Sequence, residues 1–272
     1  VGLTLIETTL VVATIALLVG LALPAVRAMV NSFQSEGGTK SIIHAALNSA
    51  RTMAVMHQRY VGVRFQKACI SGDPLDPLKG LADAPQYMIF VVSEERKVLD
   101  LANGFRALEG HEPIKLPDTI GVMDLTRVKS DADLDEPVEL SDATTFSIVF
   151  SPSGKLVVHD VRVRNQDGVF RPKNDAASAD RSMDEVFNSE YNIIKFRRGM
   201  FIQDDYSKRN PGPNDGTEYG LGEESSCTSF VLYDRSAFRR AYEKKKAWSQ
   251  YLLGRSAGAV YVSPYTGDLI SD

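Results

Sequence analysis

Between Glu7 and Arg27 the chain carries no charged residue, and the run from Leu10 to Leu23 is almost wholly aliphatic. A stretch of about twenty apolar residues approaches the length a helix needs to cross a bilayer. Ile42, Ile43, Ala46, Leu47, Ala50, Met53, Ala54 and His57 then recur at three- and four-residue steps, which predicts an amphipathic helix from Thr39 to about Arg59. The adjacent Gly37 and Gly38 weaken a helix interior by about 2 kcal/mol relative to Ala and predict a break, with Thr39 capping the restart. Beyond Tyr60 the pattern turns to short β-branched and aromatic runs. Candidate strands are Tyr60–Gln66, Gln86–Val92, Lys97–Leu101, Thr145–Phe150, Lys155–Arg164, Ile193–Arg197, Ser229–Leu232 and Ala259–Ser263. Long polar segments between them read as loops. Asp234 to Leu253 predicts a further helix, with Asp234 as N-cap, Phe238, Ala241, Tyr242 and Trp248 inward, and Gly254 at its end.

Composition narrows the class without naming a function. With 31 Lys and Arg against 35 Asp and Glu and 43% hydrophobic residues in 272, the chain is neither disordered nor a small disulfide scaffold. The acidic balance, −4, argues against nucleic acid as the main partner. Two cysteines do not build a four-ligand zinc site unaided, but they suffice for one disulfide. The histidines form no HExxH pattern, and Walker, GxSxG and kinase signatures are absent from the sequence, so no catalytic residue, metal or cofactor is expected. The acidic stretch Asp131 to Asp142 superficially matches a calcium loop. Glu136 stands where that loop needs Gly, and a solvated acidic loop is the better reading. The predicted helix after Asp234 has a basic outer face; two independent solvated surfaces of opposite sign are the default reading, and a contact between them, within the domain or between subunits, is the alternative.

The apolar run has three readings. A secretory signal peptide would place Lys or Arg before it and a small-residue cleavage site after it, and neither is present in the sequence as it stands. A plain membrane anchor needs only the apolar length. The third reading turns on the acid at its front edge. Thr4-Leu-Ile-Glu7 fits a capping box, yet Gly2-Leu-Thr-Leu-Ile-Glu7 also resembles the processing and methylation motif of type IV pilins and pseudopilins. In that family a dedicated peptidase cuts after the Gly and methylates the new N-terminus. Counted from Leu3, Glu7 is fifth, and Pro24 falls where many members carry a helix-breaking proline, weakening the turn back to Gly20. The passage from Ser49 to Phe65 and the segment Phe150-Ser-Pro-Ser-Gly154 resemble pseudopilins of the type II secretion tip. A similar Ser-Pro-x-x-Gly element recurs at Ser263 to Gly267.

The resemblance implies an α+β fold: a long N-terminal α-helix over residues 1–59, then a mainly antiparallel β globular head over 60–272 with insertions and a second helix. It implies a structural filament subunit held first in the inner membrane and then in an extracellular or cell-surface polymer of itself. Gly2 and Leu3 would flank the processing cut, although Val1 and Gly2 are present and a cut upstream of Val1 is the alternative. Glu7, Gly20 and Pro24 would serve assembly, and a prepilin peptidase, a motor ATPase and platform proteins would act on the chain. Outside the cytoplasm a Cys69–Cys227 bridge is expected. A minor pseudopilin of a secretion pseudopilus, and from another class a membrane-anchored enzyme or binding protein, are the alternative functions.

Overall fold

The computed structural model describes residues 12–14, 36–71, 78–93, 105–108, 110–130, 134, 136–158, 160–162, 201, 223–244 and 258–271. Helix α1 (Glu36–His57) leads into β1 (Val61–Lys67) and its antiparallel partner β2 (Gln86–Ser93). There follow β3 (Phe105–Ala107), β4 (Ile114–Lys115), β5 (Ile120–Asp124), α2 (Leu125–Ser130), α3 (Pro137–Thr144), β6 (Phe146–Phe150) and β7 (Asp160–Arg162). The chain continues with β8 (Glu223–Ser225), β9 (Ser229–Asp234), α4 (Arg235–Glu243), β10 (Ala259–Val262) and β11 (Leu269–Ser271). One sheet runs β3-β2-β1-β6, with β4 also on β2; a second runs β11-β10-β9-β5; β7 and β8 pair alone. All pairings among the described residues are antiparallel.

Period-two alternation sets what each face of the first sheet buries. Val61, Val63 and Phe65 point with Met88, Val92, Phe146, Ile148 and Phe150 into one apolar cluster. Helix α1 adds Ile43, Ala46, Leu47, Ala50 and Ala54, and the second sheet adds Phe230, Leu232, Val260 and Val262. Phe65 joins the two sheets, stacking on Phe146 at 4.7 Å and tilting against Phe230 at 6.2 Å. Truncating a buried leucine such as Leu47 to Ala costs about 2–5 kcal/mol. The other face of the second sheet buries Met123, Val231 and Tyr233 under α2, α3 and α4, with Leu140, Ala143 and Phe238 in the same cluster.

A polar side chain also reaches from the first sheet to the second. Gln86 opens β2, yet its Nε2 donates to Val122 O at 2.8 Å and Thr144 O at 2.9 Å, while its Oε1 accepts from Val122 N–H at 2.8 Å. The carboxamide stands in for a neighbouring strand along the edge of β5.

The expected fold class is corrected. Among the described residues no long N-terminal helix occurs and no helix is long and apolar enough to cross a membrane. Of the segment before Glu36 only Val12–Thr14 is described, and it is helical. The helix that is present, α1, is amphipathic and belongs to the core rather than to a separate stalk. In place of a head with one further helix, there are α2, α3 and α4 over two sheets. The physical reason lies partly in the acidic stretch. Glu139 reaches back to the Glu136 N–H at 3.2 Å and Pro137 opens the helix, so its second half forms α3, with Leu140 fully buried. Gly37 and Gly38 sit in the first turn of α1, and Thr39 is buried in it instead of capping it. Asp234 does cap α4, accepting from Ala237 N–H at 2.9 Å, and Phe238 is buried as the spacing requires.

Candidate assembly interface

With Ile43, Leu47, Ala50 and Ala54 turned into the core, the opposite side of α1 exposes Ser41, Ala45, Ser49, Thr52 and Met56 at three- and four-residue steps. The hydroxyls on this stripe fold back on the helix. Ser41 donates to Gly37 O at 3.0 Å, Ser49 to Ala45 O at 2.9 Å and Thr52 to Asn48 O at 2.8 Å. Small side chains with their polar atoms already engaged allow a second helix to approach closely.

Beside this stripe, α1 grips the two Ser-Pro turns. The first, Ser151 to Gly154, follows β6; the second, Ser263 to Gly267, joins β10 to β11. Each closes on a glycine at φ +74, a left-handed conformation that a residue with a Cβ adopts only under strain. Leu156 N–H donates to Pro264 O at 2.9 Å, linking the turns directly. Arg51 then bridges them, its Nε donating to Gly154 O at 2.9 Å and its Nη2 to Tyr265 O at 3.3 Å. Two turns earlier on the helix, His44 Nε2 meets Asp268 Oδ1 at 3.2 Å. Hydrogen bonding from Thr266 first, then from His44, holds the Asp268 carboxyl below the usual carboxylate range. The two Ser-Pro turns seen in the sequence are thus brought side by side, with Tyr265 standing 73% exposed at the tip.

Gly2, Leu3, Glu7, Gly20 and Pro24 lie outside the described residues, as do the predicted strands Lys97–Leu101 and Ile193–Arg197. No disulfide joins Cys69 to Cys227. Cys227 is in the core, its backbone N–H bound to Ser147 O and its thiol donating to Ser229 O at 2.9 Å. Ser147 faces Arg64, and Cys69 lies beyond the far end of β1. At about 3.3 Å per residue that register holds the pair farther apart than the roughly 7 Å a bridge tolerates. Arg239 of α4 pairs with Asp83 at 3.1 Å and Glu243 at 3.0 Å, and Arg235 with Asp118 at 3.8 Å; Asp131, Asp133, Asp135, Lys245 and Lys246 of the two charged patches lie outside the described residues. Arg51 escaped the sequence reading, although it is the one Lys or Arg between Lys40 and Arg59, and that isolation was its only signal. Among the described residues no group of His, Cys, Asp and Glu is placed to hold a metal. No family model, curated protein or solved structure matches the chain.

Proposed function

We propose that the chain is a structural subunit of an extracellular type IV pilus-like filament, joined to its copies through the apolar N-terminal segment. The observation that carries this reading is Gly2-Leu-Thr-Leu-Ile-Glu7 set directly before a long uncharged run. The small-residue stripe of α1 supports it, because it leaves a close-packing surface on a helix whose other side is bound into the head. A carboxylate within an apolar bundle costs on the order of 2.5–3.5 kcal/mol unless paired. The N-terminal amine of a neighbouring copy is its natural partner, and such a pair fixes axial register more than it adds stability. A prepilin peptidase would process the chain in the inner membrane, and a separate motor and platform would assemble it.

Glu7→Val tests the reading. Membrane insertion stays intact, since the segment becomes more apolar, while polymer yield falls sharply; wild-type yield would leave Glu7 only a capping role. Ser49→Trp, on the stripe, should give a folded head with the same loss of polymer. The similarity of Phe150-Ser-Pro-Ser-Gly154 to tip pseudopilins favours a second reading, a minor pseudopilin. Under it the chain enters filaments only beside a major subunit, whereas polymerisation of the purified chain alone supports the first.

A further inference from the structure

The turn between β1 and β2 ends in four successive carbonyls held by two cations. Lys67 Nζ, at the end of β1 and 3% exposed as a residue, donates to Leu81 O at 2.8 Å and Ala82 O at 3.1 Å. Arg235, the first residue of α4, donates from Nη2 to Asp83 O at 2.7 Å and Ala84 O at 2.8 Å, and from Nη1 to Asp118 O at 3.2 Å. The two like charges repel. Burial first, and the Arg235 charge second, push the Lys67 amine down to about 7, and Asp83 offsets this only in part. The nearby carboxylates sit closer to other cations: Asp83 is 3.1 Å from Arg239, and Asp118 is 2.8 Å from Lys115 against 3.8 Å from Arg235.

Tyr233 reaches the same place from β9. It stands opposite Gly121, and its ring lies so close over that glycine that a Cβ there would fall 2.2 Å from Cζ. Only glycine lets the ring cross edge strand β5 towards the turn, whose Leu81 and Ala84 share its apolar cluster. Tyr233 Oη and Arg235 Nε are both buried, and among the described residues neither has a hydrogen-bond partner. A buried donor without an acceptor is rare because it forfeits its hydration. Lys67 adds a third ammonium N–H beyond the two its carbonyls use.

We propose that Lys67, Tyr233 and Arg235 form a binding site for one small monovalent anion of halide size, which accepts from Tyr233 Oη and Arg235 Nε and offsets the like-charge pair. Water would supply the acceptor but not the charge. The site is independent of the filament reading. Thermal unfolding of the full chain in detergent, at pH 6.5 and fixed ionic strength, is compared in sodium chloride and sodium gluconate. Chloride should raise Tm by about 2–4 °C, saturably with concentration. Tyr233→Phe, which removes only the hydroxyl, should lose at least half of that increment, and Lys67→Met, as a second variant, likewise. Equal wild-type Tm in the two salts, or an increment that both variants keep whole, overturns the proposal.

Discussion

Gln86→Leu isolates the one side chain that completes the edge of the second sheet. Leucine keeps most of the volume and removes all three hydrogen bonds, so Val122 N–H, Val122 C=O and Thr144 C=O lose their partner together. Val122 and Thr144 are fully buried, so water does not replace it. At about 1–3 kcal/mol for each stranded group the cost is about 3–9 kcal/mol. Allowing about 1 kcal/mol for the apolar gain leaves a floor near 2 kcal/mol. For a chain of this size that lowers Tm by at least roughly 4 °C. Gln86→Glu separates chemistry from packing, because a carboxylate there accepts from Val122 N–H but faces two carbonyl oxygens. Burial raises the folded pKa of such an acid above its unfolded value of about 4.3. Its contribution is therefore fully present below pH 4.3 and is lost as pH rises through the folded pKa, so the variant's deficit against wild type is larger at pH 7 than at pH 4. Circular dichroism melts at both pH values supply the numbers. A Gln86→Leu protein melting within 1 °C of wild type would refute the bridging role.

Lys67 makes the opposite linkage prediction. With its folded pKa near 7 and an unfolded value near 10.4, the unfolded chain binds more protons in between, so wild-type stability rises from pH 7 to 9.5 relative to Lys67→Met. Parallel urea titrations of the two proteins over that range should diverge, and parallel curves would mean that Lys67 is not desolvated. Arg51→Ala should raise amide exchange in residues 151–156 and 263–267 together while sparing β1, with a loss of about 1–2 kcal/mol. Gly267→Ala, at φ +74 and 3.1 Å from the Phe150 ring, should cost about 1–2 kcal/mol or more in the same melt and loosen only the second turn at first.

The strands rich in β-branched and aromatic residues were legible, and Tyr60–Gln66, Gln86–Val92 and Thr145–Phe150 fall within a residue of β1, β2 and β6. Strand β5 was not, because Gly121 interrupts its pattern for the sake of a tyrosine more than a hundred residues away. The short β3, β4 and β11 carry too few residues to show a period, and pairing partners alone create them. Helix α3 was hidden by the acids between Asp131 and Asp142, whose charge reads as solvation while Leu134 and Leu140 are buried, and α2, six residues long, is too short to show a helical period. The Ser-Pro turns were visible as a pair, but Arg51 joins them across sequence separations of 103 and 214 residues, which no local pattern encodes.

Because α1 carries apolar surface that Val260 and Val262 help to cover, the order of synthesis matters. The helix is among the first described parts of the chain to be made, and β10 and the second turn among the last. Until they emerge, Ile43, Leu47 and Ala50 lack part of their cover, and Arg51 holds one turn at most. Contacts of such long range close slowly, and exposed apolar surface in an unfinished chain invites wrong pairing. The nascent chain is therefore open to contact between α1 and other hydrophobic surfaces until the last hairpin docks. A ribosome stalled before Val260 should display an α1 that a hydrophobic probe can still reach.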